Sequence, residues 1–214
     1  GIRPGFPHLN LDGSVIGGED FVGDGFGFSN NANGGHGTFV AGMISANVLI
    51  TFSITNRFLI SVTEHAPDAT IPPDRIPMIG SAPRSSIYAM RVFSPSGSAP
   101  TSRILAAMDR AITLRDMHDA GTPGGVNIQV VNMSLSGPSL FAGRDLFDAA
   151  TDVLADRGIV VVTSAGNAGP SGLTIGSPAS SLSSLAVGAD GFIQKPIDRD
   201  YFVEARFRND EAAD

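Results

Sequence analysis

Ile159-Val160-Val161-Val162-Thr163-Ser164-Ala165-Gly166-Asn167 is the stretch whose reading decides the fold. Its first half is a run of β-branched apolar residues, the pattern of a strand buried on both faces in a parallel sheet covered by helices. It then passes abruptly into small residues and one Asn. In open parallel sheets, ligands bind at the carboxyl ends of strands. A carboxamide at such an end can donate a hydrogen bond to a developing oxyanion; the plain alternative is an Asn in a turn.

Working outward, Ser86–Phe93, Val126–Met133 and Ser184–Ala189 read as further strands, and helices are expected between them. Thr101 and Ser102 are good N-caps for a helix that buries Ile104, Met108, Ala111 and Ile112 at helical spacing. Arg144 to Arg157 reads as a helix facing inward through Leu146, Ala150, Val153 and Leu154, with Gly158 as its C-cap. This alternation predicts an α/β fold in three layers, a mainly parallel sheet with helices on both faces.

A second informative stretch is Gly34-Gly35-His36-Gly37-Thr38-Phe39-Val40-Ala41-Gly42. A histidine framed by glycines leads into a helix over 38–47 that presents Val40, Met43 and Ile44. Glycine allows a tight backbone and close approach by another group. An imidazole reachable at the head of a helix suits a general base; the plain alternative is a polar helix start. Residues 1 to 33 are turn-rich. Asp12-Gly13 reads as a solvated turn, and Gly23–Gly27 as a loop, since no helix pattern follows it as a phosphate site would require. Val48–Val62 is rich in β-branched and aromatic residues, and Thr55-Asn56-Arg57 is positioned to turn it into a hairpin. Pro67, Pro72, Pro73 and Pro77 then break regular structure.

The 214 residues, 42% hydrophobic and 16% charged, can bury one sizeable core. Net charge is −7, which argues against nucleic acid and against an anionic membrane surface. Cys is absent, so neither a disulfide nor a Cys-based metal site is expected. No apolar run reaches the ~18 residues of a membrane span. His8, His65 and His118 read as solvated, and no His-Glu-x-x-His pair suggests zinc.

His36-Gly37-Thr38-x-Val40-Ala41-Gly42 resembles the histidine motif of the subtilisin-like serine proteases, with Phe39 where the family usually has a second, non-catalytic histidine. Ala82-Pro83, Asn132-Met133-Ser134-Leu135-Ser136-Gly137, Ser164-Ala165-Gly166-Asn167 and Pro178-Ala179 resemble further family segments in the family's order. The resemblance implies a serine endopeptidase acting on peptide or protein substrates, secreted, with His36 as base and Asn167 as oxyanion donor. It places Ser134, Leu135, Ser136, Gly137, Ala165 and Gly166 in the walls of the pocket for the residue before the cut bond. Gly97 lies in the loop along which substrate runs. No cofactor is expected. The family often carries a calcium loop between the histidine helix and the next strand, which this chain does not match.

Other segments depart from the family or extend it. Residues 48–80 read as an insertion. Gly1–Leu9 resembles the segment just after the family's catalytic Asp, which places that Asp before residue 1. Pro196–Val203 resembles a stretch of larger subtilases, so a lead-in to an inserted protease-associated domain is expected after about residue 205. No Gly-Thr-Ser-Met-Ala type motif occurs in 1–214, so the nucleophile is expected outside it and this segment alone is expected to be inactive. Asn132-Met133-Ser134 also matches a glycosylation sequon, set aside because a buried strand end is a poor acceptor. The competing reading is a degenerate subtilase that binds peptides without cutting them. The flanking sequence, searched for the Asp and the Gly-Thr-Ser, discriminates the two. A nucleotide-binding domain would need a glycine-rich turn joining strand to helix, and none is found.

Overall fold

The computed structural model describes residues 2–3, 13–29, 35–65, 74–169 and 171–188. His8, Asp12, Pro67, Pro72, Pro73 and everything from residue 189 lie outside the described residues. The chain divides into two compact units, Gly1–Arg103 and Ile104–Asp214.

In the first unit, β1 (Val15–Asp20) pairs in parallel with β4 (Ile87–Arg91), placing Gly18 beside Ala89 and Asp20 beside Arg91. Only glycine fits at 18: a Cβ there would stand 2.4 Å from the Ala89 carbonyl oxygen and 2.6 Å from the Phe28 ring. α1 (His36–Ser45) buries its small residues Ala41 and Gly42, and Ala41 and Ala46 form a core with Ile2, Val15, Met78 and Ile87 around them. β2 (Asn47–Thr51) pairs antiparallel with β3 (Arg75–Ile79), with α2 (Arg57–His65) between them in sequence.

The expected hairpin at 55–57 is therefore wrong. The Asn56 side chain accepts the Phe58 N–H at 2.9 Å, and the Ile60 N–H reaches the Asn56 carbonyl at 3.0 Å. Asn56 is an N-cap that starts a helix, where a turn was expected. Pro77 does not break structure either; it stands exposed within β3, opposite Leu49, in a two-stranded ribbon where a missing donor is tolerated.

β4 hides a charge. The Arg91 side chain is 0% exposed. Its guanidinium forks onto Asp24, Nη1 to Oδ1 at 2.6 Å and Nη2 to Oδ2 at 2.7 Å, and reaches Asp20 and the Gly27 carbonyl at 3.3 Å each. Of its three nitrogens, Nε finds no hydrogen-bond partner among the described residues. A buried guanidinium needs such compensation, and the paired carboxylates supply it. The 23–29 loop is thereby tied to the end of the parallel pair.

In the second unit, β5 (Val130–Met133), β6 (Val160–Ser164) and β7 (Ser184–Val187) form a parallel sheet in that order. The β5 strand is shorter than expected: Ile128 donates to the Val126 carbonyl at 2.8 Å, a tight turn in place of a ladder. α3 (Thr101–Asp119) buries Ile104, Ala107, Met108, Ala111 and Leu114; Ile112, expected inside, is half-buried. α4 (Leu146–Asp156) packs against β6 and β7. It ends as expected: Gly158 adopts φ 70° and donates to the Ala155 carbonyl, while Ile159 donates to Leu154.

The inward face of α4 differs from the expectation. Leu146 and Val153 are 69% and 45% exposed, and the buried positions are Asp148, Thr151 and Leu154. The stripe is set by hydrogen-bond partners for Asp148 as much as by apolar spacing. β6 also differs. Ile159, Val161 and Thr163 are buried, but Val160 is 49% exposed among the described residues, so one face of the strand is closed and burial on both faces is not observed. With three parallel pairings and one antiparallel ribbon, the α/β, mainly parallel reading holds.

The Arg91 fork, opposed in part by burial and helped by the Phe26 N–H, lowers the Asp24 carboxyl from an ordinary 3.8 to about 2. Its contribution to stability is thus complete above pH ~4 and lost as pH falls from there through 2. The thermal midpoint gap between the full-length protein and its Asp24→Asn variant is expected to be open at pH 5 and to close between pH 4 and 2. A gap that stays constant over that range contradicts the ion pair's role.

Candidate functional site

In the first unit His36 opens α1, exposed, directly after Gly35, which sits in the left-handed region at φ 45°. That turn lets the chain enter the helix tightly, with Phe39 N–H returning to the Gly35 carbonyl at 2.8 Å. Two positions on, Thr38 is buried and its Oγ1 accepts the Arg3 N–H at 3.0 Å, which fixes the first turn. The exposed face of the same turn carries His36 and Phe39, the latter 61% exposed. Gly97 lies in the loop after β4 at φ 79°, closing a turn in which its N–H reaches the Ser94 carbonyl at 2.9 Å. Near the end of β1, Asp20 and Asp24 are both engaged by Arg91, and Glu19 accepts the Tyr88 hydroxyl at 2.9 Å.

In the second unit the structure brings the expected pocket residues together. Met133 stands opposite Thr163 in the parallel β5–β6 pair, so Ser134–Gly137 and Ala165–Asn167 leave the sheet at the same edge. Gly166 adopts φ 98°, and a Cβ there would lie 3.0 Å from Ser136 Oγ. Its N–H donates to Ser164 Oγ at 3.2 Å. Asn167 follows, exposed, with its carboxamide at the carboxyl edge of β6. Asn132 is also exposed, contrary to the buried strand end expected, and its Nδ2 donates to Ser134 Oγ at 3.1 Å.

A third backbone segment, which sequence reasoning did not assign to the site, closes this arrangement. Gly176 N–H donates to the Ala165 carbonyl at 3.3 Å, and Ser177 and Gly137 exchange two backbone hydrogen bonds of 3.0 Å each. A Cβ on Gly176 would meet Ser136 Oγ at 2.1 Å and the Gly137 carbonyl oxygen at 2.4 Å, so only glycine fits. The available signal was Gly176 itself, a glycine directly before Ser177-Pro178. The site so built offers an exposed amide donor beside strand exits that are tied together by backbone hydrogen bonds. Among the described residues no group of three His, Asp or Glu side chains could hold a metal ion. His36 and Gly97 belong to the first unit, and the remaining expected site residues to the second.

Comparison with known proteins gives the family and the fold. The Subtilase family model matches residues 18–191. The chain is 36% identical to Subtilisin DY of Bacillus licheniformis over 191 residues, covering 88% of this chain and 54% of that protein. It is 33% identical to Minor extracellular protease Vpr of Bacillus subtilis (strain 168), covering 72% of this chain and 14% of that protein. Among solved structures, Sphericase superposes with a TM-score of 0.62 at 24% identity, covering 97% of this chain and 55% of that one, which shows the shared α/β fold. The chain thus spans about half the length of Subtilisin DY and of Sphericase. With a match from β1 through the glycine-lined strand ends, this chain belongs to the subtilase family.

Proposed function

We propose that the protein is a serine endopeptidase, that His36 is its proton carrier and that Asn167 holds the oxyanion. The observation that carries this reading is that Ser134–Gly137 and Ala165–Asn167 leave the paired strands β5 and β6 at one level, in a family whose members include subtilisins. A serine and an aspartate outside residues 1–214 complete the triad. His36 takes the proton from the serine hydroxyl as its oxygen attacks the scissile carbonyl carbon. The carbonyl oxygen then carries the negative charge and accepts a hydrogen bond from the Asn167 amide. His36 returns the proton to the departing amine, and the cycle repeats with water to release the acid product. From the family likeness, the Gly97 loop and the Ser134–Gly137 edge are each proposed as peptide contacts. Secretion is proposed from the likeness to an extracellular protease of Bacillus. The β2–α2–β3 segment is proposed as an insertion on the family frame.

In the full-length protein His36→Ala is expected to lower kcat by about 10⁶, a magnitude taken from subtilisin itself, with the thermal midpoint unchanged. Turnover within tenfold of the parent overturns the role. Asn167→Ala is expected to cost about 10²–10³ in kcat with little change in KM, again with subtilisin as the reference case; an effect confined to KM contradicts an oxyanion role. Residues 1–214 alone are expected to form no adduct with a fluorophosphonate by mass spectrometry. Stoichiometric labelling would place the nucleophile inside the segment and contradict the assignment.

A further inference from the structure

α4 carries a carboxylate that the mechanism does not use. Asp148 is 0% exposed. Its Oδ1 accepts the Ser177 hydroxyl at 2.7 Å, the Ser180 hydroxyl lies 3.1 Å from Oδ1 and 3.0 Å from Oδ2, and Oδ2 accepts the Asp145 N–H at 3.4 Å. These described donors are all uncharged. Asp145 is held in turn by the Ser139 hydroxyl at 2.6 Å. A buried carboxylate is tolerated when hydroxyl and N–H donors surround it, and removing its acceptors leaves those donors stranded.

The same Ser177 that donates to Asp148 exchanges two backbone hydrogen bonds with Gly137, and its neighbour Gly176 donates to Ala165. Gly176 abuts Ser136 with no room for a Cβ. The carboxylate, the Gly176–Ser177 segment and the two strand exits are therefore linked without slack. We propose that Asp148 is a positioning residue that sets the depth of the pocket for the residue before the cut bond, by pinning Ser177 and through it the Ser136–Gly137 and Ala165 walls. This rests on the proteolytic reading above. Asp148 touches no substrate; it fixes the backbone that does. Substrates that fill the pocket should depend on it and those that leave the pocket nearly empty should not. A residue that only stabilises the fold would affect both alike.

The test uses the full-length protein, Asp148→Asn and Ser177→Ala, and two peptide anilides differing only in Phe or Ala before the scissile bond. Asn keeps one acceptor oxygen and loses the other; Ser177→Ala removes the tether and leaves the backbone pair. Both variants are expected to lower kcat/KM for the Phe substrate by roughly tenfold, through KM, and to leave the Ala substrate within about twofold. If Asp148→Asn does not fold, Ser177→Ala alone decides. A Phe-to-Ala ratio that is unchanged or raised, even with a lower thermal midpoint, overturns the positioning role while leaving the proteolytic reading intact. Absence of turnover by the parent protein on both substrates overturns the two together.

Discussion

Parallel pairing of β5 with β6 is the constraint on which the second unit depends. Parallel strands point their carboxyl ends the same way, and the register of Met133 with Thr163 makes both chains leave the sheet at one level. Beyond that level, space dictates the residues. The segments come so close that Gly176 has no room for a side chain against Ser136, Gly166 at φ 98° lies tight against the same hydroxyl, and backbone hydrogen bonds between Gly137 and Ser177 fill the gap. The glycines in this segment are thus consequences of strand register and of how closely the exits pack.

The first unit solves a different problem. A parallel pair of only two described strands ends in a loop rich in glycine, and Arg91 organises that loop from within. Its bidentate fork to Asp24 combines charge with directionality, which a hydrophobic side chain at 91 would not offer. Replacing Asp24 would leave the buried guanidinium with only Asp20 and the Gly27 carbonyl, each at 3.3 Å, as described partners. His36, by contrast, sits on a short helix whose buried side is made of small residues, Thr38, Ala41, Gly42 and Ser45, so that the helix lies close to its support while its first residue stays exposed.

Much of this was legible in the residues because it is local. The β-branched run of β6, the helical spacing of α3, the glycine that ends α4 and the glycine frame of His36 all act within a few positions, and each element formed close to where its signal lies, although Thr101 and Ser102, expected as caps, are the first residues of α3 itself. The misreadings share a cause. Asn56 could serve a turn or a cap, and only the pairing of β2 with the distant β3 decides for the cap. The burial of Arg91 and of Asp148 was not foreseen, because their partners Asp24 and Ser177 lie 67 and 29 positions away. Charge burial is a tertiary property, and spacing along one element does not reveal it. Likewise the site edge formed by Gly176 and Ser177 joins the others through backbone hydrogen bonds, which any sequence can make.

The central claim is that the imidazole of His36 and the carboxamide of Asn167 serve the same carbonyl. The most direct measurement is a crystal structure of the full-length protein trapped with a peptidyl boronic acid, whose tetrahedral oxygens stand in for those of the reaction intermediate. The expected result is a boronate bonded to a serine oxygen, with the His36 ring and the Asn167 amide each about 3 Å from a different boronate oxygen. A boronate bound with either side chain beyond hydrogen-bond reach would contradict it.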